Sequence, residues 1–99
     1  MGNKRRITPR RVDANQADIV KRLRMYGITV LHLHTVGRGC PDLLVGFRGN
    51  NYLIELKNAE NVPSKKRLTP DEEKFFSSWN GQVSKCETLE EILQVVGYE

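Results

Sequence analysis

No run of apolar residues in this 99-residue chain approaches the roughly 20 needed to cross a bilayer. The N-terminus is basic but has no apolar stretch behind it, so a secretory signal is not expected either. Cysteine is scarce. Cys40 and Cys86 stand in unrelated contexts without Cys-x-x-Cys spacing, which argues against a disulfide framework and a zinc site and for a reduced, cytosolic setting. A Walker loop, a nucleophilic triad and a dinucleotide-binding fingerprint are all missing, so no nucleotide cofactor and no membrane partner are expected. Internal repeats and low-complexity segments are absent as well. What remains is a small chain with 38% hydrophobic and 28% charged residues, enough for one domain with one modest core.

Acid is short in the first part of the chain. Residues 1–67 carry 14 Lys/Arg against 5 Asp/Glu, whereas residues 68–99 carry 2 against 7. A basic portion joined to an acidic one fits a surface that follows a phosphate backbone, although a solvated charged surface would have the same composition. Residues 1–12 hold five basic residues and no acid, and are expected to form a flexible basic arm in which Arg5 and Arg6 could lie along DNA. Residues 13–99 are expected to form the single domain.

Hydrophobic periodicity predicts a helix over residues 13–26, closed by Gly27. At 100° per residue, Gln16, Ile19, Val20 and Leu23 share its inward face. Asp13 falls close to Val20 on that face, and Asp18 points the other way. Residues 28–35, 42–48 and 51–57 read as three strands of an antiparallel meander, with hairpin-turn chemistry at Gly49-Asn50. Their mostly apolar runs suggest a sheet covered on both faces. Residues 58–68 are polar and basic with one proline, and read as a mobile loop. Thr69-Pro70-Asp71-Glu72 starts a helix to about Asn80 with a capping box, and its Phe75, Phe76 and Trp79 are read as core or dimer contacts, not as base-stacking platforms. A short strand over 82–86 and a helix capped by Thr88 and Glu91 and stopped by Gly97 complete an α-β-β-β-α-β-α order.

Chemistry concentrates at Asp42, after Pro41, and at Glu55 and Lys57. Two residues apart in a strand, Glu55 and Lys57 project from one face, while Tyr52, Ile54 and Leu56 turn to the core. Magnesium takes hard oxygen ligands and keeps several waters, so two or three carboxylates suffice to hold it. Asp42 and Glu55 are the candidate carboxylates, with the backbone carbonyl of Leu56 as a further ligand. Lys57 could position an attacking water, neutralise a phosphate or shuttle a proton. Gly37 and Gly39 permit close approach of backbone to a phosphate, and Arg38 between them could contact it. Lys65, Lys66 and Arg67 form a basic patch suited to DNA backbone contact. His32 and His34 could bind zinc only with a third ligand, which has no counterpart at suitable spacing; packing or surface placement is the plainer reading of both, with His34 as an alternative base.

The order Gly39-x-Pro41-Asp42, then 12 residues containing a hairpin turn, then Glu55-x-Lys57, resembles the PD-(D/E)xK nuclease superfamily. With VGRGCPDLLVGFRG, LIELK and the basic stretch running into LTP, residues 12–97 are similar to small stand-alone VRR-NUC proteins of phages and prophages. The resemblance implies a restriction-endonuclease-like αβββαβ core, a central mixed sheet flanked by helices, in an α/β fold. It implies a DNA endonuclease using Mg2+ or Mn2+ in which Asp42, Glu55 and Lys57 are catalytic, and which leaves a 5′ phosphate. Similarity to Holliday junction resolvases adds a homodimer acting on branched DNA in the cytoplasm of a bacterial host. Many members carry a glutamate on the first helix; here the region reads Asp13-Ala14-Asn15-Gln16, making Asp13 a candidate metal ligand and Gln16 a candidate site residue or a hydrogen-bonded core amide. Many also carry a glutamine just after the LTP phrase, where this chain has Glu72 or Glu73; the capping box alone would account for Glu72. Rival expectations are a nuclease for linear, nicked or flap DNA working with a partner, a catalytically silent DNA-binding module, and a small protein-interaction domain.

Overall fold

The computed structural model describes residues 14–99; the basic arm, with Arg5 and Arg6, and Asp13 lie outside the described residues. The elements follow as α1 (Ala14–Met25), β1 (Thr29–His32), β2 (Leu43–Phe47), β3 (Asn50–Leu56), α2 (Pro63–Lys66), α3 (Pro70–Ser78), β4 (Val83–Cys86) and α4 (Leu89–Val96). Together they make an α/β fold with a four-stranded mixed sheet flanked by helices. Strand order is β1-β2-β3-β4. The first two pairings are antiparallel and β3–β4 is parallel, since the chain crosses through α3 before returning beside β3. Among the described residues, no helix is long and apolar enough to cross a membrane.

The core lies on one face of the sheet. Ile19, Val20 and Leu23 of α1 meet Val30, Leu43, Val45, Tyr52, Ile54 and Leu56 from the strands, and Leu89, Ile92 and Val96 of α4. The buried face of α1 is the one its periodicity predicts, Gln16 included, and Asp18 points outward to pair with Arg22. Alternate residues of β3 turn to the second face, where α3 lies across Leu53 and Glu55. That second face is only partly covered: Leu31 of β1 remains 62% exposed, so the expectation of two covered faces holds for β3 and not for the sheet's β1 side.

Turn chemistry moves one boundary. The hairpin turn is Arg48-Gly49, not Gly49-Asn50: Arg48 (φ 53°) and Gly49 (φ 84°) both take the left-handed conformation, and Asn50 already pairs with Phe47. A two-residue turn with positive φ at both positions matches the twist of the flanking strands, and the Arg48 guanidinium rests 4.8 Å from the Phe47 ring centroid. Strand β1 also ends sooner than the residue types suggest, at His32, so His34 stands in the following turn, its ring edge-on to His32 at 5.8 Å. The stretch read as a mobile loop contains the single-turn helix α2, started by Pro63.

Helix α3 has the capping box its sequence calls for, with Pro70 in the first turn, but stops at Ser78, and Trp79 takes an extended conformation. No residue of α3 is buried: Phe75 and Phe76 are half-buried, and Trp79 is 47% exposed and stacked on Phe75. The core reading of Trp79 is therefore corrected. In α4, Thr88 caps the helix and Gly97 ends it at φ 74°, while Glu91 reaches back to the Glu87 N–H rather than to that of Thr88.

Candidate active site

Asp42 enters the site through backbone register. Pro41 is buried beside it, and Leu43 pairs with Ile54, so one step beyond this ladder Asp42 comes abreast of Glu55. Its Oδ2 accepts a hydrogen bond from the Leu56 N–H at 2.9 Å, which ties the start of β2 to the end of β3. In a strand, the N–H and C=O of one residue face the same neighbour, so the Leu56 carbonyl also turns toward Asp42.

Glu55 is only 4% exposed, and Lys57 follows it on the same face. The Lys57 ammonium sits between two carboxylates, 3.3 Å from Glu55 Oε2 and 2.9 Å from Glu72 Oε1. Glu72 Oε1 accepts at the same time from the Thr69 N–H at 2.9 Å. One side chain thus closes the capping box of α3 and anchors the lysine of β3. The helix cap is half of what Glu72 does; the other half depends on α3 packing over the end of β3, which capping alone does not reveal.

These contacts set the protonation of the cluster. Burial pushes the Glu55 carboxyl up to about 8, aided by the Asp42 charge and by a hydrogen bond with Glu72 and its charge, against the opposing pull of Lys57. Burial also works to raise Glu72, but the Thr69 N–H, hydrogen bonds with Lys57 and Glu55, and the lysine charge hold it below the ordinary carboxyl range. For Lys57, burial is outweighed by its hydrogen bonds to Glu72 and Glu55 and by their charges, and the ammonium is held above its usual range. The cluster thus favours the protonated form of Glu55 and the charged form of Lys57. Cys40 lies in the same field: burial, then Glu55 and Asp42, push its thiol up. No sequence signal pointed to Cys40, whose closeness to both acids comes from the loop that carries it.

The other candidate residues are more dispersed. Gln16 is buried, with its Nε2 3.5 Å from His32 Nδ1. Burial, then Arg24 and His34, lower the pKa of His32. Arg38 is exposed in a loop of three consecutive left-handed residues, Gly37 (φ 80°), Arg38 (φ 58°) and Gly39 (φ 78°). Gly39 is required twice over, since a Cβ there would also run into the backbone carbonyl of Asp71 in the first turn of α3. That contact seats the loop against the helix that carries Glu72. The basic patch divides: Lys65 and Arg67 are exposed, whereas Lys66 is half-buried, donating to the Ala59 carbonyl and pairing with Glu87 at 3.3 Å.

Among the described residues, no group of three or more His, Cys, Asp or Glu side chains is arranged to hold a metal ion. The chemistry of the donors nonetheless fits a hard cation. Asp42 and Glu55 offer carboxylate oxygens, the Leu56 carbonyl faces Asp42, and burial first, then the Asp42 charge, raises the Glu55 pKa in the absence of a cation. Without a cation, the same geometry offers a lysine fixed between carboxylates at the mouth of a partly covered sheet. Family models, curated proteins and solved structures show no match to this chain.

Proposed function

We propose that this chain is a divalent-cation-dependent DNA endonuclease with a restriction-endonuclease-like αβββαβ core, of the VRR-NUC type. The observation that carries the reading is the cluster itself: a buried Glu55 with a raised pKa, Asp42 abreast of it, and Lys57 on the same strand face. A buried strand-end carboxylate with a raised pKa, set beside a second acid and a lysine, favours a functional origin. The mixed sheet and its flanking helices are compatible with this core.

Asp42, Glu55 and the Leu56 carbonyl would hold Mg2+ or Mn2+, with Asp13 as a possible completing ligand. The cation, when bound, polarises the scissile phosphate and makes a water more acidic. Lys57 neutralises phosphate charge or orients the attacking water, and Glu72 fixes the lysine's position. Gln16 is a further site candidate. In-line attack on phosphorus with departure of the 3′ oxygen leaves a 5′ phosphate. Arg38, Lys65 and Arg67 suit the DNA backbone, as would Arg5 and Arg6, whereas Lys66 serves the fold through its pairing with Glu87. A domain this small has little surface with which to embrace DNA, so a homodimer placing two sites on a branched substrate is the preferred assembly. The setting would be the cytoplasm of a bacterial host, from a phage or prophage.

A second reading is a catalytically silent DNA-binding module. It is favoured by the position of the Lys57 ammonium, which bridges Glu55 and Glu72 and competes with a cation for Glu55. The deciding experiment is cleavage of a labelled four-way junction beside linear duplex and single-stranded DNA, with Mg2+, Mn2+ or EDTA, by wild type and Lys57→Ala. Paired cation-dependent cuts in the junction, lost in the variant, support the nuclease and the branched substrate. Cuts in linear DNA alone keep the nuclease and remove the junction preference. Binding without cleavage under either metal favours the silent module.

A further inference from the structure

Beside the acids lies an open groove of about 590 Å³ that the cluster does not use. It is lined by Leu53, two positions before Glu55 on the same face of β3. Cys40 lines the groove two residues before Asp42. The loop with Val36 and Arg38 and the α3 segment with Phe75 and Trp79 also line it. The two aromatic rings are stacked, with centroids 5.1 Å apart and planes 16° apart, and Trp79 remains 47% exposed. Among the described residues, no carboxylate pairs with Arg38.

We propose that this groove takes an unpaired nucleobase of the DNA substrate, stacked on Trp79, with Arg38 on the adjoining phosphate. The inference rests on the nuclease reading and adds the substrate class: DNA with single-stranded character next to the cut. A half-exposed indole stacked on Phe75, an aliphatic floor and a guanidinium with no carboxylate partner among the described residues match a nucleotide part by part, apolar face to base and cation to phosphate. A base inside a duplex already has both faces stacked, so only an unpaired base can offer one to Trp79. The loop that carries Arg38 is seated on the first turn of α3 through Gly39, and Arg38 and Trp79 both line the groove.

Trp79 is the sole tryptophan of the chain, so all indole emission comes from this residue, which lines the groove and also borders Gly81 and Gln82. The test titrates the full chain, in EDTA, with a short oligothymidylate and with an abasic oligonucleotide of equal length and charge. Emission should fall at least about twofold with the base-bearing strand and hold steady with the abasic one, as expected for base–aromatic stacking. Trp79→Ala and Arg38→Ala should each weaken oligothymidylate binding about tenfold, Trp79→Phe should restore much of the loss, and Trp79→Ala should leave abasic binding unchanged. Thermal unfolding checks each variant, and Arg38→Ala carries the test if Trp79→Ala fails to fold. Unchanged emission with undiminished binding by Trp79→Ala overturns the base site while leaving the nuclease reading intact. Emission that shifts with protein concentration in the absence of DNA, together with a dimer that Trp79→Ala dissociates, overturns it in favour of a second copy covering the groove. Failure to bind any DNA, with no cation-dependent cleavage, removes the nuclease reading and this inference together.

Discussion

Replacing Glu55 with glutamine should make the metal-free protein more stable in alkaline solution. The carboxyl is 4% exposed and its pKa is raised from 4.5 to about 8, so between these values the folded chain holds a proton that the unfolded chain has released. Stability from this group is full below pH 4.5, declines as pH rises through the window, and is lost above pH 8. At about 1.4 kcal/mol per pH unit, the full window amounts to roughly 5 kcal/mol. Glutamine does not titrate, and its amide N–H can donate to Glu72 as the protonated carboxyl does, while its carbonyl can accept from Lys57. The assay is urea unfolding of wild type and Glu55→Gln in EDTA from pH 5 to 9, compared as a difference. Other ionisations largely cancel in that difference. His32, for example, has a lowered pKa, so its contribution falls away on acidification in both proteins. The two proteins should be close in stability at pH 5, with the variant ahead by several kcal/mol at pH 9, an order-of-magnitude expectation from the same linkage. A difference that stays flat across the range refutes the protonated, buried carboxyl and weakens the case for a cation site. Under the nuclease reading, the same variant loses cation-dependent cleavage.

Two further substitutions probe the supports of the site. Glu72→Ala removes the acceptor of both the Thr69 N–H and the Lys57 ammonium and should cost about 1–3 kcal/mol in thermal or denaturant unfolding, whereas Glu72→Gln keeps an acceptor for both and should cost distinctly less. Equal losses in the two variants would show that charge, not the shared hydrogen bonds, anchors the lysine. Gly39→Ala meets both a positive φ and the Asp71 carbonyl, while Gly37→Ala meets only a positive φ, with nothing among the described residues within 4 Å of its Cβ. The first should cost more than about 2 kcal/mol and the second about 1 kcal/mol in denaturant unfolding; equal costs would mean that the loop is not seated on α3.

Local rules carried much of the secondary structure. The inward stripe of α1, the Thr69–Glu72 capping box and the Gly97 stop are short-range patterns, and each has its expected form. Misplaced boundaries came where two local choices competed. Gly49 can sit first or second in a two-residue turn, and the strand pairing that puts Asn50 opposite Phe47 makes the choice. Pro63 starts a helical turn inside a segment whose polar composition reads as loop.

The sequence by itself determined the alternation of β3, and with it that Glu55 and Lys57 share a face, because the strand period is two whatever surrounds it. It also determined that a strand follows Pro41, although β2 begins at Leu43 rather than at Asp42, and that α3 opens with Glu72 in its first turn. Only the tertiary structure decided that Glu72 meets Lys57, that Asp42 bonds the Leu56 N–H, and that Cys40 lies in the field of both acids. It likewise decided that Trp79 stays half in solvent beside an open groove rather than in the core. The two hydrogen bonds join residues 14 and 15 positions apart, across separate elements, and Trp79's exposure depends on how much of the sheet α3 covers. Their existence depends on packing α3 and the Gly37–Cys40 loop over one face of the sheet, a global balance of burial that no local pattern encodes.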